Sequence, residues 1–352
     1  MPDQAEVIGN KVADWQLARM DNFDYIRTFR DETRQGTGWE QAAFYIGLAR
    51  WAAVTGNSRY FSALFERAER NNWQTGPRYW HADDQAIVQV YLFLAGKQDE
   101  RIAASTEAFD QVLSSPPRNT LEFKQDDNGH SEGTCQRRWC WCDALFMAPP
   151  AWLMLSNATG DSKYREYALK EYFATKDYLY DDELHLFYRD SRYFERRTAF
   201  GNKVFWSRGN GWVFAGIPLL LEALPADHPT RRDLLELYEE MAAAFKDIQH
   251  PDGYWSSSLL DVEHDPLPET SGTAFITFGL AWGVNRSIIS QDEYGEVVER
   301  GWSALANAVD RQGKLGWVQQ VGSAPEETRA SDTQLYGSGA LLLAASEMLD
   351  WR

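Results

Sequence analysis

Apolar residues recurring every three or four positions, a repeated helical hairpin and an aromatic-rich composition predict an all-α fold: a toroid of helical hairpins closed as an (α/α)6 barrel, with minor short β-hairpins. Seven segments carry the helical spacing, namely GWEQAAFYIGLARWAAVTG, YFSALFERAERN, QAIVQVYLFLAG, KYREYALKEYFATKDYL, RRDLLELYEEMAAAFKDI, YGEVVERGWSALANAV and YGSGALLLAASEMLDW, with Gly, Asn, Asp or Pro at the breaks. Strand-like alternation is confined to HLFYRD and YWSSSLL, enough for small hairpins and too little for a sheet.

The repeat sets the architecture. WAAVTGNSRYFSALFERAER, from Trp51, recurs as WLMLSNATGDSKYREYALKEY, from Trp152: one helix, a TG(N/D)S(R/K)Y turn, then a second amphipathic helix. The interval leaves room for a further pair, so the chain holds roughly six or seven hairpins, stacked as an open solenoid or closed as a ring. Fifteen Trp, sixteen Tyr and eighteen Phe exceed what the thin core of a solenoid needs, whereas a closed barrel uses them as stacking platforms at its mouth. No Pro/Ser-rich linker divides residues 1–352, and SSPPRNTLEF at 114–123 has the composition of an inter-helix loop, so a single domain is expected.

Charge narrows the function. With 35 basic and 52 acidic residues the net charge is −17, which argues against nucleic acid or anionic membrane as a partner, since both need clustered Lys and Arg. A few local arginines on an acidic surface still suit a small anionic ligand. No apolar run reaches spanning length, and MPDQAEVIGN has neither the basic nor the apolar region of a signal peptide. The expectation is a soluble, cytoplasmic chain, periplasmic if a leader has been removed, acting as a monomer or weak homo-oligomer without a cofactor. Cys135, Cys140 and Cys142 lie too close together for a disulfide framework, so reduced thiols are expected.

Chemistry gathers where aromatic, charged and glycine residues mix beside helix starts. Five stretches do so: Trp39 to Tyr45 in GWEQAAFY, Trp80 to Gln85 in WHADDQ, His130 to Asp143, Trp206 to Trp212 in WSRGNGW, and Glu269 to Thr273 in ETSGT. Trp offers a flat apolar face to a sugar ring, Arg a fork to a carboxylate, and Gly close approach. Together they have the chemistry of an acidic-sugar pocket.

HADDQAIVQ, RRWCWCDALFMAPP, WSRGNGWV and ETSGTA resemble, in matching order over most of the chain, the signature segments of glycoside hydrolase family 105, the unsaturated rhamnogalacturonyl hydrolases. Val88 is a local departure, standing where that pattern usually has glycine. The resemblance implies an (α/α)6 barrel that removes the unsaturated uronic acid left at a non-reducing end by a polysaccharide lyase. It implies Asp143 as the general acid that protonates C4 of the C4=C5 vinyl ether while water adds at C5, and Asp83 as the second acidic residue. Arg208 and Trp212 carry over to substrate binding, with His130, Arg137, Arg138, Trp141, Trp39 and Tyr45 as pocket residues and Ser271 and Thr273 as hydroxyls at the rim. Apolar neighbours and Asp83 are expected to raise the pKa of Asp143. The alternatives are a related family 88 glucuronyl hydrolase or a hydrolase of ulvan or other glycuronan fragments, then a lyase, an epimerase and a non-catalytic glycan-binding barrel.

Each residue also has a structural use. Asp143 suits a helix N-cap, and Asp83 and Asp84 suit a first helical turn. Trp139 and Trp141 are two apart, so one can face the core and the other the mouth. Arg208 suits a surface ion pair. His130, Cys135, Cys140 and Cys142 are four candidate zinc ligands, but their spacing is not that of paired knuckles, and no metal is expected.

Overall fold

The computed structural model describes residues 1–95, 100–117, 120–124, 134–264 and 267–351. Its longer helices, in chain order, are α1 (Pro2–Leu17), α2 (Trp39–Thr55), α3 (Ser58–Arg70), α4 (Val88–Ala95), α5 (Ala103–Ser114), α6 (Pro149–Thr159), α7 (Ser162–Leu179), α8 (Ser207–Ala223), α9 (Thr230–Asp247), α10 (Thr270–Asn285), α11 (Gln291–Ala308) and α12 (Leu335–Met348). Helices α2, α4, α6, α8, α10 and α12 each pack on the next, and α12 returns to α2, so they form a closed inner ring. The other six surround it: α1 lies on α12, α3 on α2, α7 on α6, α9 on α8 and α11 on α10. Phe109 of α5 stacks on Trp152 of α6 at 4.2 Å. This is the (α/α)6 barrel that the hairpin repeat predicts. Strands β1 (Tyr180–Asp181) and β2 (Leu186–Phe187) make one small antiparallel hairpin, so HLFYRD supplies a strand. YWSSSLL contributes only isolated bridges.

The two copies of the repeat occupy equivalent places for the same local reasons. Helix α2 ends at Gly56 and α6 at Gly160, both left-handed (φ 64° and 77°), a backbone state that glycine adopts without a Cβ penalty. The next residue then caps the outer helix: Asn57 accepts from the Arg59 N–H, and Asp161 from the Lys163 N–H. The tyrosine that closes each motif also repeats its partner, because the Tyr60 hydroxyl donates to Asp14 of α1 and the Tyr164 hydroxyl to Asp110 of α5.

The inner helices are apolar on nearly every side, as helices enclosed by others must be. The tightest contact closes the ring. A Cβ on Gly47 of α2 would fall 2.1 Å from the Gly339 carbonyl oxygen of α12, so only glycine allows these backbones to approach so closely. Among the described residues no helix is long and apolar enough to cross a membrane. Trp39, Asp83, Trp141, Asp143 and Arg208 gather near the N-terminal ends of the inner helices, which open on one mouth of the barrel.

Candidate active site

The segment before α6 is shaped by a short 3-10 turn, Cys135–Arg138, followed by Trp139 in a left-handed conformation (φ 55°). That reversal brings Cys135 and Cys140 to a Cα separation of 5.6 Å, and they form a disulfide. The expectation of three reduced thiols is therefore corrected: sequence spacing does not reveal a left-handed residue inside a small loop. Cys142 remains a buried free thiol whose pKa is pushed well above its usual value by burial and by Asp143, which leaves it unsuited to nucleophilic work. Its N–H donates to the Arg189 carbonyl, clamping this segment to the chain just beyond β2.

Asp143 follows immediately, ahead of the single turn Ala144–Met147. Its carboxyl makes no hydrogen bond to that turn, so it is not spent as a cap. It receives the Cys142 thiol at 3.5 Å and faces Arg189 Nε at 3.4 Å. The remaining bonds of Arg189 go to Asp190, which also binds Arg192 through both carboxyl oxygens. Charge on Asp143 thus has a fixed cation beside it.

Asp83 opens into the same cavity from the turn Ala82–Gln85, where His81 Nδ1 accepts from the Asp83 N–H. Its neighbour Asp84 is turned away and held by the Arg78 backbone N–H and guanidinium. Among the described residues Asp83 has no such bond, and its side chain keeps 20 % of its surface exposed. Burial, opposed by Arg78 and reinforced by Asp84, Asp143 and Glu40, pushes its carboxyl up to about 8. Asp83 is therefore an acid that holds its proton unusually tightly at this mouth.

These carboxyls share a cavity of about 270 Å³ with Trp39, Trp141, Met147, Trp206, Arg30, Arg189, Arg208 and the stretch Val321–Ser323. Trp39 stacks on Tyr336 at 5.2 Å, and Trp141 lies against His81 at 4.9 Å, so both indoles are held before any ligand arrives. Trp139 is the partner that faces the core, against Trp152 and Tyr167. Arg208 sits between the rings of Trp206 and Tyr336, at 4.3 and 4.7 Å. Its two terminal nitrogens donate to the carbonyls of Gln319 and Gln320, while among the described residues Nε has no hydrogen-bond partner. The fork expected to grip a carboxylate is thus largely spent on backbone, and what reaches the cavity is positive charge.

Other expected residues lie elsewhere. Trp212 is buried beneath Trp39, packed on Phe275 at 4.1 Å and Phe146 at 4.8 Å, and forms a floor rather than a wall. Tyr45 stands six residues after Trp39, a rotation that carries it to the far side of α2, where its hydroxyl accepts from Arg67. Arg138 pairs with buried Glu171 at 2.8 Å. Arg137 reaches the Ser115 carbonyl and lies 6.0 Å from the centre of the Trp80 ring. Ser271 and Thr273 bond Glu269 at the start of α10 and are fully buried, away from any rim. His130 falls outside the described residues. Arg189 and Arg30 were missed: neither lies in one of the five motif stretches, and each reaches the mouth from a loop.

A closed helical barrel with two carboxyls, three guanidinium groups and three indoles at one mouth defines a carbohydrate-active enzyme. The family model described as Glycosyl Hydrolase Family 88 matches residues 8–351, and the chain belongs to that family. It is 48 % identical over 355 residues to an unsaturated 3S-rhamnoglycuronyl hydrolase of Alteromonas sp. (strain LOR), covering 99 % of this chain and 86 % of that one. A glycosyl hydrolase family 88 structure from Bacteroides vulgatus superimposes with a TM-score of 0.85 at 29 % identity, covering all of both chains. A possible family 105 member from Salmonella enterica serovar Paratyphi A shares the fold, with a TM-score of 0.78 at 18 % identity over 99 % of this chain and 94 % of that one. The chain is a glycosidase of the unsaturated-uronyl type that the motifs resemble.

Proposed function

We propose that this protein removes the 4,5-unsaturated uronic acid from the non-reducing end of lyase-generated oligosaccharides, and that the next sugar is a 3-sulfated rhamnose. The observation carrying the reaction is a pair of carboxyls, Asp143 and Asp83, in one aromatic-walled cavity of a family 88 hydrolase. Rhamnose is the sugar the sequence resemblance implies. Its sulfation is supported by the name of the Alteromonas relative, in which 3S is taken to denote a 3-sulfated ring.

The ring oxygen of the unsaturated sugar polarises the double bond, so C4 is the carbon that takes a proton. Asp143 supplies it, water adds at C5, and the proton lost by that water returns to the carboxylate. The resulting hemiketal opens to a ketone at C5, C1 becomes a hemiacetal, and this expels the aglycone as an alcohol. Asp83, with its carboxyl pushed up to about 8 chiefly by burial, keeps a proton at neutral pH in the same cavity. Arg189 and Arg208 provide positive potential for the uronate, and Trp39 and Trp141 provide apolar faces for the ring.

The conjugated double bond absorbs in the near ultraviolet, which makes the test direct. Incubation with an unsaturated uronyl–rhamnose 3-sulfate disaccharide is expected to erase that absorbance. Persistent absorbance sinks the proposal, and a rise on intact polymer would mark a lyase instead. The Cys135–Cys140 bond supports an oxidising compartment in place of the cytoplasm expected from sequence. Without reductant the denatured chain should titrate one thiol, Cys142, and after reduction three; three from the outset would remove that support.

A further inference from the structure

The three cavity arginines are not equivalent. Arg189 is committed to Asp190 and Asp143, and Arg208 to two backbone carbonyls. Arg30 lines the same cavity from its exposed edge and, among the described residues, its guanidinium makes no hydrogen bond and no ion pair. The strap that carries it is nevertheless fixed. Arg27 grips Asp332 with two bonds of 2.8 Å, and Thr28 bonds Gln320 Oε1 through both its N–H and its hydroxyl. On the other side, the Thr33 N–H donates to the Arg30 carbonyl, and Gln41 Nε2 donates to the Thr33 carbonyl at 2.7 Å. An uncommitted guanidinium on a pinned strap is a preorganised anion receptor.

Its depth says which anion. Asp143 is 9 % exposed and lies with Arg189 at the inner end, so the ring that must be protonated at C4 goes inward. A cavity of about 270 Å³ falls below the range typical of drug-sized ligands, and suits one sugar ring. The second sugar therefore sits at the mouth, level with Arg30. Building on the proposed sulfated second sugar, we infer that Arg30 is a specificity-determining residue that receives the sulfate ester of the sugar next to the unsaturated ring. A guanidinium fork matches two sulfate oxygens as it matches phosphate or carboxylate.

The experiment compares the sulfated disaccharide with its desulfated counterpart by loss of near-ultraviolet absorbance, in wild type, Arg30→Ala and Arg30→Lys. Wild type is expected to favour the sulfated substrate by about 10- to 100-fold in kcat/KM, mostly through KM, with the preference shrinking as salt rises. Arg30→Ala should reduce that ratio to about one, because the sulfated substrate loses far more than the desulfated one. Arg30→Lys should restore part of it. A preference that survives Arg30→Ala overturns the inference, as does an equal loss on both substrates. Wild type that cleaves both alike overturns it as well while leaving the uronyl hydrolase intact, whereas wild type that cleaves neither removes the proposed function itself.

Discussion

The two ends of the barrel both contain a hollow, and they treat charge in opposite ways. At the C-terminal ends of the inner helices a hollow of about 610 Å³ is lined by Ile46, Val54, Phe93, Met154, Leu219 and Leu343, with Arg50 and Glu222 among them. There each charged group is answered. Arg50 binds Glu222 through two nitrogens and reaches Glu347, Arg286 binds the same two carboxylates, and the Trp282 indole N–H donates to Glu222. The N-terminal mouth is less than half as large, yet among the described residues Asp83 has no ion pair with an arginine or lysine, Arg208 is bound by backbone carbonyls and by no carboxylate, and the Arg30 guanidinium has no hydrogen-bond or ion-pair partner. Unanswered charge, not volume, distinguishes the end that does chemistry from the end that holds the ring together.

The sharpest way to break this comparison is Asp143→Asn. Turnover should fall by about 10³-fold or more with the melting temperature nearly unchanged, since the carboxyl contributes no cap; a variant with near wild-type absorbance loss would refute its role. Asp83→Asn should cost about 10²-fold and remove the alkaline limb, near pH 8, from the kcat/KM profile. Its effect on stability has a definite sign. The folded-state pKa of Asp83 lies above the unfolded value of about 3.9, so the native state holds the proton more tightly, and the wild type loses stability as pH rises from about 4 to about 8. Asp83→Asn should therefore gain in melting temperature, relative to wild type, across that window. Glu40, pushed up to about 7 mainly by burial, adds a loss of the same direction. At the opposite end, Glu222→Ala strips Arg50 and Arg286 of a counter-charge and should cost about 1–3 kcal/mol in denaturant unfolding, discounted for partial exposure. Its kcat/KM should stay within about twofold of wild type, and a larger loss would mean the two ends are coupled.

How far such features can be read in advance depends on how local they are. Gly56 and Gly160, followed by Asn57 and Asp161, announce their turns, because the caps are made within three residues. Asp143, Asp83, Trp39 and Trp141 were legible because each lies in a motif that itself forms part of the mouth. Arg208 was legible as a residue of the mouth but not in its bonding, which depends on carbonyls more than a hundred positions away. Tyr45 and Arg138 share motifs with cavity residues yet leave the cavity, one by helical phase and the other by its pairing with Glu171. Arg189 was hidden because nothing in HLFYRD says that the chain after β2 returns to Cys142.

The Gly47–Gly339 contact joins the first inner helix to the last, and Trp39 and Tyr336, which stack at the mouth, ride on those same two helices. On a ribosome the indole emerges early and waits for almost the whole polypeptide before its aromatic partner exists. Such late, long-range docking makes assembly slow relative to the making of local hairpins. A nascent chain therefore acquires its helices well before it acquires a catalyst, and a single added methyl at that glycine seam should delay the birth of activity more than the birth of helicity.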